Sequence, residues 1–334
     1  MPSLIMRPHR LTKVGPVSKR NESKTKVLES LNGRIQFRAV ILTMLLKLNQ
    51  RNSFIGFRLL GCVVLPLALR AEGVAVDKSS FTLFNPTPDQ LMREMSTDRP
   101  DKTESPYTVD AGHFQIESDL VSYSYNHDSA TRVDDWAIAP MNLKVGLCNR
   151  VDLQTVVETY RHIRTRDNLT GTPIRQNGFG DITTRLKINL WGNDEGSTAL
   201  AVMPFLKFPT NQDQLANDRV EGGVIIPFAV GLPAGFSLGL MTEFDFNRND
   251  DGAGNHVEFI NSATLSHHLI GKLRGYMELF TAVSSERDAD WVGTLDLGLT
   301  YGLTPNIQLD VGVNFGLTDS ADDLNPFVGL SYRF

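Results

Sequence analysis

Side chains able to carry a reaction are few in this 334-residue chain, and their spacing decides what chemistry they could do. Acyl transfer needs a Ser or Cys nucleophile beside a His base that is in turn oriented by Asn or Asp. The densest such grouping is Ser266, His267 and His268, and a second pair, His127 and Ser129, stands in a polar stretch without an evident third member. No G-x-S-x-G, H-E-x-x-H or glycine-rich phosphate loop occurs. Cys62 and Cys148 are the only thiols, too few for a thiolate metal cluster or a disulfide framework. What remains is ionic. Acids and bases recur at alternate positions in otherwise apolar segments, a pattern that lines a polar interior rather than a reaction centre. Taken segment by segment, one face carries Glu117, Asp119, Asp152, Glu158, Asp181, Glu243, Asp245, Glu258, Glu278, Asp296 and Asp310, against Lys144, Arg185, Lys187, Lys207, Arg274 and Arg333.

Strands must hold such a face. Leu295, Leu297, Leu299 and Tyr301 alternate with Thr294, Asp296, Gly298 and Thr300, and Leu309, Val311, Val313 and Phe315 alternate with Gln308, Asp310, Gly312 and Asn314. Period 2 sustained over about 10 residues is a membrane-strand length, since soluble strands cluster near 5 to 6. The chain ends in PFVGLSYRF, with Val328, Leu330, Tyr332 and Phe334 on one face. Chain ends ordinarily fray, whereas a strand that closes a barrel keeps its pattern to the last residue. Mean hydropathy of -0.17 agrees with a barrel, because lipid-facing and lumen-facing residues average out. A repeated spacing marks short turns: Gly146-Leu147 before Val151 and Leu153, Gly231-Leu232 before Phe236 and Leu238, Gly302-Leu303 before Ile307 and Leu309. His268-Leu269 and Trp191 to Ser197 supply looser versions, making five. Six longer polar loops are expected at Asn126–Val133, Arg164–Asn177, Pro209–Val220, Arg248–Gly254, Glu286–Asp290 and Asp319–Asp323. Five turns and six loops join twelve strands. Trp136, Trp191 and Trp291 fall near inferred strand ends, where interfacial aromatics belong.

Charge divides the chain. Residues 1–58 hold 12 Lys+Arg against Glu22 and Glu29, while from Glu72 onward 20 Lys+Arg face 36 Asp+Glu. The basic stretch, the apolar run Leu59–Leu69 and small residues near Ala71, Gly73 and Ala75 read as a secretory signal over residues 1–71, with Met44 as an alternative start. Cys62 in RLLGC matches a lipoprotein box only loosely, since Arg58 interrupts the apolar run such a box needs. Nothing aromatic interleaves with the leader's cations as in single-strand binders, so no nucleic-acid partner is expected.

Residues 72–112 should be a periplasmic entry segment ahead of the barrel at 113–334. A short helical look at Asp89–Met95 follows Pro86 and Pro88. Next, Ser96–Glu117 reads STDRPDKTESPYTVDAGHFQIE. This stretch, with APMNLKVGL at Ala139–Leu147, resembles the outer-membrane transporter family named for a phenol-degradation meta-cleavage pathway, and the resemblance extends to Phe334. It implies a barrel that moves small solutes, with no catalytic residues and no cofactor.

The expectation is therefore an all-β protein, a twelve-stranded antiparallel transmembrane barrel with short periplasmic turns and longer external loops. It should act as an outer-membrane channel or transporter for small solutes, hydrophobic or aromatic compounds among them. A structural or adhesive barrel without transport, and a barrel hydrolase, are the alternatives. Its partners should be outer-membrane lipid, the barrel assembly machinery, which would read Tyr332 and Phe334 as an insertion signal, and a small solute. Asp98, Arg99, Asp101, Lys102 and Glu104 are too polar for lipid and too punctuated by Pro100 and Pro106 for a helix, so they are candidates to plug the periplasmic mouth. Along the strands, Asp296, Asp310, Glu243, Asp245, Glu258, Glu278 and Arg274 are candidates for lumen selectivity. Arg274 is expected to pair with Glu278 and Lys187 with Asp181, leaving Asp296 and Asp310 as free acids favouring cations.

Overall fold

The computed structural model describes residues 77–216, 218–249, 254–287 and 289–334. The expected signal, with Met44 and Cys62, lies outside these residues. Twelve antiparallel strands form one closed sheet: β1 (Phe114–His127), β2 (Thr131–Ile138, continuing as Met141–Cys148), β3 (Val151–Val157, continuing as Tyr160–Asp167), β4 (Pro173–Gly178, continuing as Ile182–Trp191), β5 (Thr198–Phe208), β6 (Glu221–Gly231), β7 (Phe236–Arg248), β8 (Asn255–Ile270), β9 (Leu273–Ser284), β10 (Val292–Thr304), β11 (Ile307–Gly316) and β12 (Leu324–Arg333). Each pairs with its neighbours in sequence, and β12 returns to β1 with Gln115 opposite Arg333. Phe114 and Phe334 exchange both backbone hydrogen bonds at 2.9 Å, so pairing runs to the final residue and no edge is left at the seam.

Alternation sorts the two faces. Leu297, Leu299, Tyr301, Leu309, Val311 and Met277 are 38–49% exposed and point outward, whereas Asp296, Asp310 and Glu278 between them are at most 3% exposed and point into the lumen. An apolar outer belt on a closed barrel is what a bilayer requires, since every backbone group is satisfied within the wall. This is an outer-membrane architecture. Trp191 ends β4 and Trp291 immediately precedes β10, both about half exposed.

Two expected long loops are instead strand. Residues 126–133 and 164–177 fold into the upper ends of β1 to β4, which are joined by turns at 128–130 and 168–172. These ends were illegible because the alternation changes phase partway. Leu120 bulges between Asp119 and Val121 on β1, Ala139-Pro140 interrupts β2 with Ala139 at φ 52°, Glu158-Thr159 interrupts β3, and 179–181 interrupt β4. Each extra residue rotates the following side chains to the other face and bends the strand. On β2 the lumen side passes from Asn142 and Lys144 to Asp135, which pairs with Arg161, and Trp136 turns outward. The helical look of Asp89–Met95 reduces to a single 3-10 turn, Asp89–Leu91, with Met92 already extended.

Candidate functional site

Residues 77–112 lie at and within the short-turn end of the barrel. Thr82 bridges Cys148 and the Leu83 amide donates to the Leu147 carbonyl at 2.9 Å, fixing the segment against the end of β2. Arg93 then clamps the rim: its guanidinium donates to Asp110 at 3.1 Å and to the Asn149 carbonyl at 3.1 and 3.3 Å. Asp194, in the turn after β4, accepts from Lys78 at 2.7 Å. Burial alone would raise the Asp194 carboxyl, but hydrogen bonds from Lys78 and Asn149 and the charges of Arg93 and Lys78 hold it below the usual carboxylate value.

From there the chain turns into the lumen and comes back out. Ser96 and Ser105 meet at 2.7 Å through their hydroxyls, and the Ser105 amide donates to Asp98 at 2.9 Å, closing a loop whose two stems lie side by side. Two prolines prevent it from forming a helix or joining the sheet. Its backbone amides are therefore satisfied by the wall: Asp98 donates to both Glu117 oxygens at 3.2 and 3.0 Å, Lys102 and Thr103 donate to Glu278 at 2.8 Å each, and Val109 donates to Asp152 at 2.9 Å.

The loop's side chains are sorted by sign. Asp98 is held by Lys144 and, at 2.6 Å, by Lys187, while Glu104 accepts from Arg185 at 2.6 Å. On the other side, Arg99 bridges Asp119 at 2.6 Å and Asp310 at 2.6 and 3.2 Å, and Lys102 reaches Asp296 at 3.1 Å and the Thr294 hydroxyl at 2.8 Å. The lumen is polarised across its width: β2 and β4 present the bases Lys144, Arg185 and Lys187, while β9 to β11 and β1 present Glu278, Asp296, Asp310 and Asp119. The loop offers an acidic flank to the first wall and a basic flank to the second, which fixes its orientation. Asp101, at the tip, lines the cavity beneath the loop.

The structure overturns two pairings read from sequence and the expectation of two free acids. Asp296 and Asp310 are not free acids; Lys102 and Arg99 occupy them. Arg274 does not pair with Glu278, and Lys187 pairs with Asp98 rather than Asp181, which accepts from Asn211 at 2.9 Å. Residues four apart on a strand are separated by about 13 Å and six apart by about 20 Å, beyond direct contact. Glu243 and Asp245 are buried on the inner face of β7, Asp245 opposite a half-buried Glu258 on β8.

Above the loop the inner wall gathers two apolar clusters among its charges. Met203, Phe205, Ile225 and Met241 form one buried cluster, Phe280, Ala282, Val292 and Ala321 another, and Ile260 packs against both. The two clusters touch the loop, where the Glu104 amide approaches Met241 Sδ at 3.4 Å and Lys102 Nζ sits 4.5 Å from the centre of the Phe280 ring. Ala321, from the last external loop, belongs to the second cluster, so that loop folds inward over this end. Sequence reading missed the apolar interior because its residues occupy ordinary lumen positions. The inward Met203 and Ile225 sit in strands apolar on both faces, where alternation is silent.

The candidate nucleophile and base do not assemble. Ser266 lies on the cavity side of β8, whereas its neighbour His267 stacks on Phe236 at 4.2 Å on the outer face and meets the Gly235 carbonyl at 3.2 Å. Tyr332 and Phe334 are outward and about half exposed, with Phe334 stacked between Phe114 at 5.7 Å and Tyr332 at 5.4 Å.

A closed twelve-stranded barrel with a polarised, loop-filled lumen defines an outer-membrane β-barrel of the porin-like class. The family model described as "Putative MetA-pathway of phenol degradation" matches residues 97–334, and the chain belongs to that family. A comparison with curated sequences finds no match. Among solved structures, the NanC porin is 10% identical, with a TM-score of 0.42 over 66% of this chain and 98% of its own. The KdgM porin is 10% identical, with a TM-score of 0.40 over 64% and 98%. The transport unit of the Escherichia coli autotransporter AIDA-I is 11% identical, with a TM-score of 0.40 over 72% and 93%. Likeness this distant supports nothing further, and the barrel rests on its own strand pairing.

Proposed function

We propose that the protein is a gated outer-membrane channel for small, largely apolar or aromatic solutes, with the loop from Ser96 to Pro106 as its periplasmic gate. The observation that carries this reading is the order of surfaces along the lumen. An apolar inner wall of Met203, Phe205, Ile225, Met241 and Phe280 abuts a loop held by ion pairs, where a barrel built only for anchorage would need neither. Twelve strands enclose an interior between the side-chain-filled eight-stranded barrel and the open 16-stranded porin, so one short loop can close it. The name of the family fits a phenolic or other aromatic cargo. Asp296 and Asp310 hold the gate through Lys102 and Arg99, and they bias the lumen toward cations only when the loop is out.

The test is conductance in planar bilayers of the native chain and of a variant lacking Ser96–Pro106, followed by uptake of phenol into liposomes. The native barrel should conduct weakly and the deletion strongly, with faster phenol entry. In the deletion, Asp296→Asn with Asp310→Asn should weaken cation preference. A folded deletion variant that neither conducts nor admits phenol would favour a structural barrel without transport.

A further inference from the structure

Beneath the loop, at the short-turn end, the barrel keeps a cavity of ≈ 590 Å³. Four arginines line it. Arg93 is committed to Asp110 and Asn149, Arg99 to Asp119 and Asp310, and Arg333 to Asn306 at 2.8 and 3.0 Å and the Arg93 carbonyl at 2.9 Å. Arg274 is different. It is half-buried on the cavity face of β9, and no acceptor among the described residues reaches it. Glu278, four residues along the strand and out of its reach, is engaged by the amides of Lys102 and Thr103. A guanidinium carries five donors and stays charged, so it presents an unused fork to whatever enters.

A second donor is built in beside it. Tyr276, two residues along the same face, is 8% exposed, lines the cavity, and its buried hydroxyl has no hydrogen-bond partner. The ring is fixed because β10 and β11 place glycines beneath it: a Cβ on Gly298 would come within 2.4 Å of the ring, and one on Gly312 within 2.7 Å of the hydroxyl. A buried hydroxyl left unsatisfied carries a free-energy cost, which a ligand atom reaching it would relieve. Register sets Thr300 opposite Arg274 and Ser266 opposite Tyr276, adding two hydroxyls and no acid to this stretch of wall.

We propose that this vestibule binds a small organic monocarboxylate, held by the Arg274 fork and the Tyr276 hydroxyl. One planar guanidinium matches one planar carboxylate. The other face of the cavity carries Glu94, Asp101 and Glu104 of the N-terminal segment, of which Glu104 is bound to Arg185, and these repel a polyanion such as phosphate. Equilibrium binding here requires no passage through the barrel, so the site goes beyond the transport reading and stands or falls separately from it.

The test uses the purified full chain in detergent, with benzoate, inorganic phosphate and the neutral benzyl alcohol as probes in equilibrium dialysis. Benzoate should bind at millimolar concentration or below, and phosphate should bind more weakly. Arg274→Gln should weaken benzoate by about 10-fold or more and Tyr276→Phe by less, the range expected for a charge-assisted and a neutral hydrogen bond. Benzyl alcohol should be insensitive to both changes. In the native chain, benzoate should also protect Arg274 from an arginine-specific dicarbonyl reagent, read by mass spectrometry, a readout that needs neither variant to fold. Absence of benzoate binding, equal loss of benzyl alcohol in Arg274→Gln, or modification of Arg274 unaffected by benzoate would overturn the proposal.

Discussion

The wall made of β8 to β11 and the wall made of β1 to β4 are built from the same alternation, yet they differ in regularity and in how their charges are mixed. On β10 and β11 period 2 runs unbroken between the strand ends, so every inward residue shares one parity. On β1 to β3 a bulge reverses parity partway, and β4 is interrupted alongside them. The regular wall carries Glu278, Asp296 and Asp310 inward, and the bulged wall sets the bases Lys144, Arg185 and Lys187 among acids of its own, Glu117 and Asp152. Bulges are therefore a local device, confined to the side where the strands continue beyond the belt, and the loop turns Asp98 and Glu104 to the bases of one wall and Lys102 to the acids of the other.

Substitution can sharpen this contrast. The largest effect is expected for Leu297→Arg, which places a cation on the lipid face of the regular wall and should cost about 2–4 kcal/mol, whereas Ile138→Arg, beside the β2 bulge near the outer interface, should cost less than about 1 kcal/mol. Urea titrations of both variants in lipid vesicles measure the difference, and equal costs would place the bulges at the midplane. Next comes Asp310→Asn. On faces alone it would be neutral, but it removes one of two carboxylates from a 3%-exposed Arg99, and the expected destabilisation approaches about 3 kcal/mol, short of the full loss of a buried pair because Asp119 remains. Thr294→Ser, which keeps the hydroxyl that meets Lys102, should be nearly silent in the same assay.

A subtler check concerns phase itself. If parity did not change on β2, Trp136 would face water inside the barrel; with the bulge it faces outward, 44% exposed. In a chain retaining Trp136 as its only tryptophan, brominated lipid should quench its fluorescence, and quenching by an aqueous agent alone would restore the unbroken strand. Deleting Phe334 removes the stack on Phe114 and the terminal hydrogen bonds, and should lower the yield of heat-modifiable barrel. The smallest effect is at the rim. Asp194 has a depressed folded-state pKa, so its stabilisation is present above the ordinary carboxylate range and lost as pH falls through the folded value. Hydrogen exchange over residues 77–95 should therefore rise on acidification, and Asp194→Asn should abolish that rise.

How much of this was legible follows from what alternation can encode. Leu309 and Asp310 announced their faces because nothing interrupts β11. Tyr332 and Phe334 announced a closing strand because a soluble chain has no reason to stay patterned at its end. The far ends of β1 to β4, at 126–133 and 164–177, looked like loops because Ala139, Glu158 and their neighbours reset the count. The loop's polarity and prolines were visible, but its partners were not: Arg99 and Asp310 are 211 positions apart, and only barrel closure brings them together. Counting lumen charges gave a net sign and hid the grouping of Lys144, Arg185 and Lys187 on β2 and β4. Arg274 was misassigned by carrying helical spacing onto a strand.

Both stems of the inserted loop leave through the same mouth, tied to each other where Ser96 meets Ser105. Nothing is threaded through the wall and no strand passes between the stems. The loop can thus be withdrawn and reseated as a hairpin drawn by its base, breaking side-chain and amide contacts while every rung of the sheet stays closed. A pull on the chain ahead of Arg93 acts along that base, so force applied from the periplasm would reach the ion pairs one after another, beginning at the rim and ending near Asp296.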